Sequence, residues 1–259
     1  MKIGVIDGID GIDGIDGADG APDEARLQRL SHAEAQGYAA VWVDVRPGLP
    51  ASAGRSLFAA AQIAERTHSV RVGLRSPLPD DLHPLRLAED LAVLDILSGG
   101  RLDWAPTGPL APEFLEIVLL AWRGEAFAHE GERYAFPELR CLPTPEQQPH
   151  PGLWLGPAQE PPPAAAPEQT GEMLALEPGS APDAYGPAPR VAGRARMLIC
   201  PISAQGGAGP GDWLAGLEAC RLHFDPEWVL IWPEAGSGDE DLIAETQSRF
   251  AEQALSLSA

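Results

Sequence analysis

A few side chains in this 259-residue chain have the type and the position to do chemistry. Asp7, Asp44 and Arg75 each fall at or near the end of a short apolar run, in KIGVID, AAVWVDV and VRVGLRSP. A carboxylate so placed can take up or release a proton once its surroundings set its pKa. A guanidinium can hold an anion through its fixed fork of donors. Thr107 and Gly108 follow a fourth apolar run and offer a hydroxyl and an unhindered backbone. Trp42 and Trp104 alternate with aliphatic residues, which suits a core position first and a stacking platform second.

The histidines carry less. His83 precedes Pro84 at a helix start, where a side chain caps or packs. His32, His68, His129, His150 and His223 are too scattered for a metal site, so none is expected. The chain has no GxSxG, Walker loop, CxxC or HExxH, and no GxGxxG in a strand-to-helix turn.

The elements that must position these groups alternate. Apolar runs at Lys2–Asp7, Ala39–Val45, Val70–Pro77 and Arg101–Ala105 read as strands. Between and after them, Asp23–Gly37, Ser56–Thr67, His83–Ser98 and Leu110–Gly124 read as helices, with Ser56 a natural N-cap. Phe127–Phe136 reads as a hairpin. Further strands fall at Leu153–Ala158, Gly171–Glu177, Arg196–Ser203 and Trp228–Trp232, with helices at Asp212–His223 and Asp239–Leu255. The Pro- and Ala-rich stretch Glu160–Gln169 makes a poor helix. Strand–helix alternation predicts a parallel sheet, and eight strands predict an α/β fold closed as a (β/α)8 TIM barrel. It is expected to be a single domain over 1–259, irregular between strands 5 and 7, where residues 159–190 form a Pro-rich eroded segment. In such a barrel Asp7, Asp44 and Arg75 stand at the strand C-termini, where functional groups gather.

Residues 7–20, DGIDGIDGIDGADG, repeat Gly and Asp every third position. They lack the proline of a collagen triplet and the spacing of an EF-hand loop, so an expanded βα loop is expected. The stretch His83–Arg101, HPLRLAEDLAVLDILSGGR, spreads its apolar residues over roughly 200° of the helix wheel, against ~100° for a helix covering one core. Burial on two sides follows. Asp95 falls inside that arc and needs donors, for which the N–H groups of the Ser98-Gly99-Gly100-Arg101 turn are nearest. Arg101 is expected to form an ion pair with Asp95 or Asp103.

Formal net charge is −20, from 18 basic and 38 acidic residues, which argues against nucleic acid or an anionic membrane as partner. No apolar run approaches the ~18 residues of a membrane span, and no basic-then-apolar leader opens the chain. Three cysteines without metal spacing are consistent with a reducing cytoplasm.

The block AAAQIAERTHSVRVGLRSPLPDDLHPLRLAEDLAVLDILSGGRLDWA, with Glu113-Phe114, Gly124, HEGERYAF and Pro149-His150-Pro151, resembles the bacterial luciferase-like flavin-dependent monooxygenases. The resemblance covers about residues 1–156, and the chain is short for that family. It implies a barrel that binds FMN at its C-terminal mouth, where the reduced flavin meets O2, and a dimer built through helices two and three. It would make Trp42, Trp104, Thr107 and Gly108 candidate flavin contacts and Asp7, Asp44 and Arg75 candidate catalytic groups. Three places depart from the family pattern. Asp44-Val45-Arg46-Pro47-Gly48 lacks the histidine expected after strand two. Ala105-Pro106-Thr107-Gly108-Pro109 lacks the phosphate-binding arginine. The segment from Gly156 to Pro163 has no hydroxyl and four prolines.

Preserved helices beside a worn site imply a non-catalytic or degenerate subunit. It would form a homo- or heterodimer through helices 56–67 and 83–98, in the second case with an active luciferase-like paralogue. The Ala-rich face of the first helix and Leu91 of the second are the expected seam. The alternative is an active flavin-dependent monooxygenase using reduced FMN and O2 on a small organic substrate.

Overall fold

The computed structural model describes residues 1–9, 24–45, 52–78, 82–108, 111–157, 159, 161, 165, 167–176, 194–203, 210–234 and 240–255. Most of the Asp-Gly repeat and most of 159–190 therefore lie outside the described residues.

The elements run β1 (Lys2–Ile9), α1 (Glu24–His32), β2 (Ala40–Val45), α2 (Ser52–Arg66), β3 (Arg71–Pro77), α3 (Pro84–Ser98), β4 (Leu102–Thr107) and α4 (Pro112–Trp122). The hairpin β5 (Phe127–Glu130) and β6 (Ala135–Leu139) follows, then β7 (Gly152–Leu155), β8 (Thr170–Ala175), β9 (Arg196–Ser203), α5 (Pro210–Phe224), β10 (Trp228–Glu234) and α6 (Glu240–Ala254). Eight strands close a parallel barrel in the order β1-β10-β9-β8-β7-β4-β3-β2, as expected from the alternation. Between β7 and β8 the described residues hold only a 3-10 turn, Pro167–Gln169.

Period-two alternation divides the strand side chains between two cores. Ile6, Trp42, Ala105, Trp154, Met173, Met197, Ile199 and Leu230 pack together inside the barrel. Val5, Val41, Val43, Leu74, Leu102, Trp104, Leu153 and Leu198 face outward to the helices. The interior is filled by indoles set against glycines. Trp42 pairs in register with Gly73, and Trp154 with Gly171. A Cβ at either glycine would overlap the facing ring.

Helix α3 begins where His83 caps it, Nδ1 accepting from the Leu85 N–H at 3.2 Å. It ends at Gly99, φ 67°, a left-handed turn that a side chain disfavours. The fully buried Asp95 finds other donors than the turn it was matched with. Gln147 gives it both backbone N–H (2.8 Å) and side-chain amide (2.7 Å), and the Leu102 N–H adds a third at 3.3 Å. These donors are 52 and seven residues away in sequence, so local reading could not rank Gln147. Arg101 likewise forms hydrogen bonds in place of the expected ion pair. It donates to the carbonyls of Ser98, Val70, Ala64 and Thr67 and to the Thr67 hydroxyl. Arg71 takes Asp103 instead, at 2.5 and 2.8 Å. Two further expectations shift. Helix α2 starts a turn early, at Ser52, so Ser56 is buried within it and does not stand at its N-cap position. Leu91, Ala59, Ala60 and Ile63 are all 0% exposed, inside the fold and not on its surface.

Candidate functional site at the barrel mouth

A cavity of about 300 Å³ opens at the C-terminal ends of β3, β4, β7 and β8. Its walls are Arg75, Ala105, Thr107, Trp154 and Met173 from the strands, with Gly108, Gly156 and Gln159 from the loops beyond. The volume stands at the low end of the ~300–1,000 Å³ usual for small-molecule sites. Gln159 straps the rim. Its Oε1 accepts from the Gly156 N–H at 2.7 Å, and its Nε2 reaches the Gly108 carbonyl at 3.4 Å. This joins the loops after β4 and β7.

Of the residues singled out by sequence, Arg75, Thr107 and Gly108 line this cavity. Asp44 stands behind Arg75, its Oδ1 accepting from Nη1 at 2.7 Å, and is 3% exposed. Strand pairing sets this contact, because Asp44 and Arg75 are partners in register. Asp7 goes elsewhere. Its position alternates with Ile6, so its carboxylate faces the helix layer, where Arg29 of α1 holds it and Arg26 lies 3.8 Å away. Trp104 also faces outward and meets Trp122 edge-on at 6.0 Å, away from the interior. Trp42 is inside but fully buried in the interior core.

Sequence reading missed Trp154, Met173 and Gln159 as wall residues. The signal for Trp154 was the alternation Leu153-Trp154-Leu155, which turns the indole away from its apolar neighbours. Gln159 had no such signal, since a loop side chain has no period.

Within the cavity wall, the Thr107 hydroxyl and the Trp154 indole N–H are buried without a hydrogen-bond partner. Among the described wall residues Arg75 is the one charged side chain, and Asp44 matches its charge. Pro106 and Pro157 bring no N–H. These groups fit a flat, uncharged ring with an acceptor for Thr107. They fit a phosphate poorly, since the described wall holds no unmatched cation.

The histidines have structural work. His150 is buried, its Nδ1 2.7 Å from the Pro151 carbonyl, and burial lowers its pKa. His129 meets Glu113 at 2.9 Å and ties the hairpin to α4. Among the described residues no group of three or more metal-ligating side chains occurs, and no helix is long and apolar enough to cross a membrane.

Comparison with known proteins follows the same division between a clear first half and a looser second. A family model described as luciferase-like monooxygenase matches residues 1–105. The oxygenase component of the flavin-dependent trigonelline monooxygenase of Acinetobacter baylyi is 30% identical over 116 residues, 37% of this chain and 32% of that protein. The match thus spans about a third of that curated relative's length. Among solved structures, monooxygenase RslO1 from Streptomyces bottropensis superposes with a TM-score of 0.73 at 19% identity, covering 100% of both chains. The oxygenating constituent of 3,6-diketocamphane monooxygenase from Pseudomonas putida, solved in complex with FMN, gives 0.66 at 13% identity, covering 98% of this chain and 97% of that one.

Proposed function

We propose that this chain is a member of the luciferase-like monooxygenase family, whose model matches residues 1–105, and that within it the chain is a non-catalytic subunit, paired with an active flavin-dependent monooxygenase. The observation that carries this reading is the Arg75–Asp44 pair. The one described cation at the cavity is already neutralised, with no histidine among the described wall residues. Proton transfer to or from a reacting flavin–oxygen group needs a titratable side chain within reach, and an FMN phosphate needs an unmatched donor set.

The pairing surface is on α2 and α3. Phe58 on α2 is 57% exposed, and Val93, Ile96 and Leu97 on α3 are 41, 43 and 63% exposed. The last three share one helix face by their spacing. Apolar groups of this size on neighbouring helices support burial against a second barrel of the same kind. The three free thiols support a cytoplasmic setting.

The test is to purify the chain alone and titrate it with oxidised and with reduced FMN, following flavin fluorescence and retention on a desalting column. No stoichiometric retention is expected. In cells, a luciferase-like paralogue is expected to co-purify with the tagged chain. Stoichiometric FMN retention by the isolated chain overturns the proposal.

The second reading, an active monooxygenase, draws on the cavity itself. Unpartnered Thr107 Oγ1 and Trp154 Nε1 in its wall are groups that a bound ring could satisfy. FMN, bound in its reduced form, would supply the electrons for O2 activation. Under that reading Thr107→Val weakens flavin retention and turnover together, whereas a non-catalytic chain shows neither.

A further inference from the structure

Cys200 and Cys220 hold their sulfur atoms 3.7 Å apart. Cys200 is on the outward face of β9, in the same layer as Leu198 and Ile202. Cys220 is on the inward face of α5, in line with Trp213, Leu217 and Phe224. Both are buried, 6% and 5% exposed. The third cysteine, Cys141, is half-buried in another place, its Sγ 3.9 Å from the Leu85 carbonyl.

We propose that Cys200 and Cys220 form a reversible intramolecular disulfide when the chain meets a small hydroperoxide. The sulfurs need to close by only roughly 1.7 Å to reach the ~2.05 Å of an S–S bond. Neither thiol has a role in the proposed function, and the inference does not depend on it. The Cys200 thiol donates to the Cys220 sulfur, which raises the pKa of Cys200 and lowers that of Cys220. This contact places Cys220, the acceptor, as the sulfur to react as the thiolate, against the burial that disfavours charge on it.

The chemistry balances with the peroxide as oxidant. The Cys220 thiolate attacks one peroxide oxygen, the O–O bond breaks, and hydroxide leaves and is protonated to water, giving a sulfenic acid. The Cys200 sulfur then attacks the sulfenic sulfur and loses its proton, and a second water leaves. Two thiols and one hydrogen peroxide yield one disulfide and two waters. The bond ties α5 to β9 across a sequence separation of 20 residues, which restrains the unfolded chain more than the folded one.

The test treats the native wild-type chain with a slight excess of hydrogen peroxide, unfolds it with an alkylating agent present, and digests it without reduction. Mass spectrometry is expected to find the Cys200 and Cys220 peptides joined with the loss of two hydrogens. Tm is expected to rise by several degrees and to return when dithiothreitol is added. Cys220→Ser and Cys200→Ser each abolish the joined peptide, and Cys141→Ser keeps it. The proposal is overturned if Cys220 goes to sulfinic acid without a link. A link made through Cys141, or both sulfurs staying reduced while Cys141 is oxidised, overturns it equally.

Discussion

At the scale of single residues, the fold is held by polar groups whose partners are distant in sequence. Glu34 is the clearest titratable case. Burial raises its pKa, but the hydroxyl of Ser69 and the backbone N–H groups of Ser69, His68 and Val70 outweigh this and hold it down at about 2. Its folded pKa is thus below the ordinary 4.5, so its contribution to stability is fully present above pH 4.5 and is lost as pH falls toward 2. Comparing wild type with Glu34→Gln by thermal melts should show a stability gap at neutral pH that shrinks through this window. A gap independent of pH would assign the effect to packing.

A second residue-scale prediction concerns the interior indoles. Gly73→Ala places a methyl group against the Trp42 ring, in a wall with no slack. It should cost about 1–3 kcal/mol, read as a lower midpoint in urea together with altered near-ultraviolet circular dichroism. The spacing that made Trp42 a strand residue was plain in the sequence. Its register with Gly73 was not, because pairing across strands depends on how the barrel closes.

At the scale of elements, α3 separates two roles that sequence reading merged. Its wide apolar arc was legible, and so were its cap and its glycine stop. Which part of the arc faces inward was not, since a helix wheel shows angle and not neighbours. Leu91 is fully buried and Leu97 is 63% exposed. Leu91→Glu should therefore cost about 4 kcal/mol or more and leave the chain poorly folded, through a buried charge without a partner. Leu97→Glu should change monomer stability by no more than about 0.5 kcal/mol. Paired with Phe58→Glu, it should shift the assembly on a sizing column to the monomer position. An unchanged elution volume would move the interface off α2 and α3.

At the scale of the whole molecule, strand–helix alternation carried the barrel. The first four units were clear because each strand is a short apolar run and each helix has a periodic face. The region after β7 was harder because prolines erase the helical period there. The cavity was half legible. Arg75, Thr107 and Gly108 stood at strand ends, where a barrel puts its ligand groups. Asp7 stood at one too, yet one step of alternation turned it to Arg29. Position along a strand selects the mouth, while parity selects the inside, and parity could be read only with its neighbours in place.

The closing seam pairs β1 with β10, joining Lys2–Val5 to Trp228–Ile231. During synthesis the first strand emerges more than two hundred residues before its second neighbour. For that interval its backbone donors and acceptors on one side stay open to any passing strand. An unfinished chain thus carries two sticky edges, and ribosome stalling before Trp228 would leave a species prone to join others of its kind.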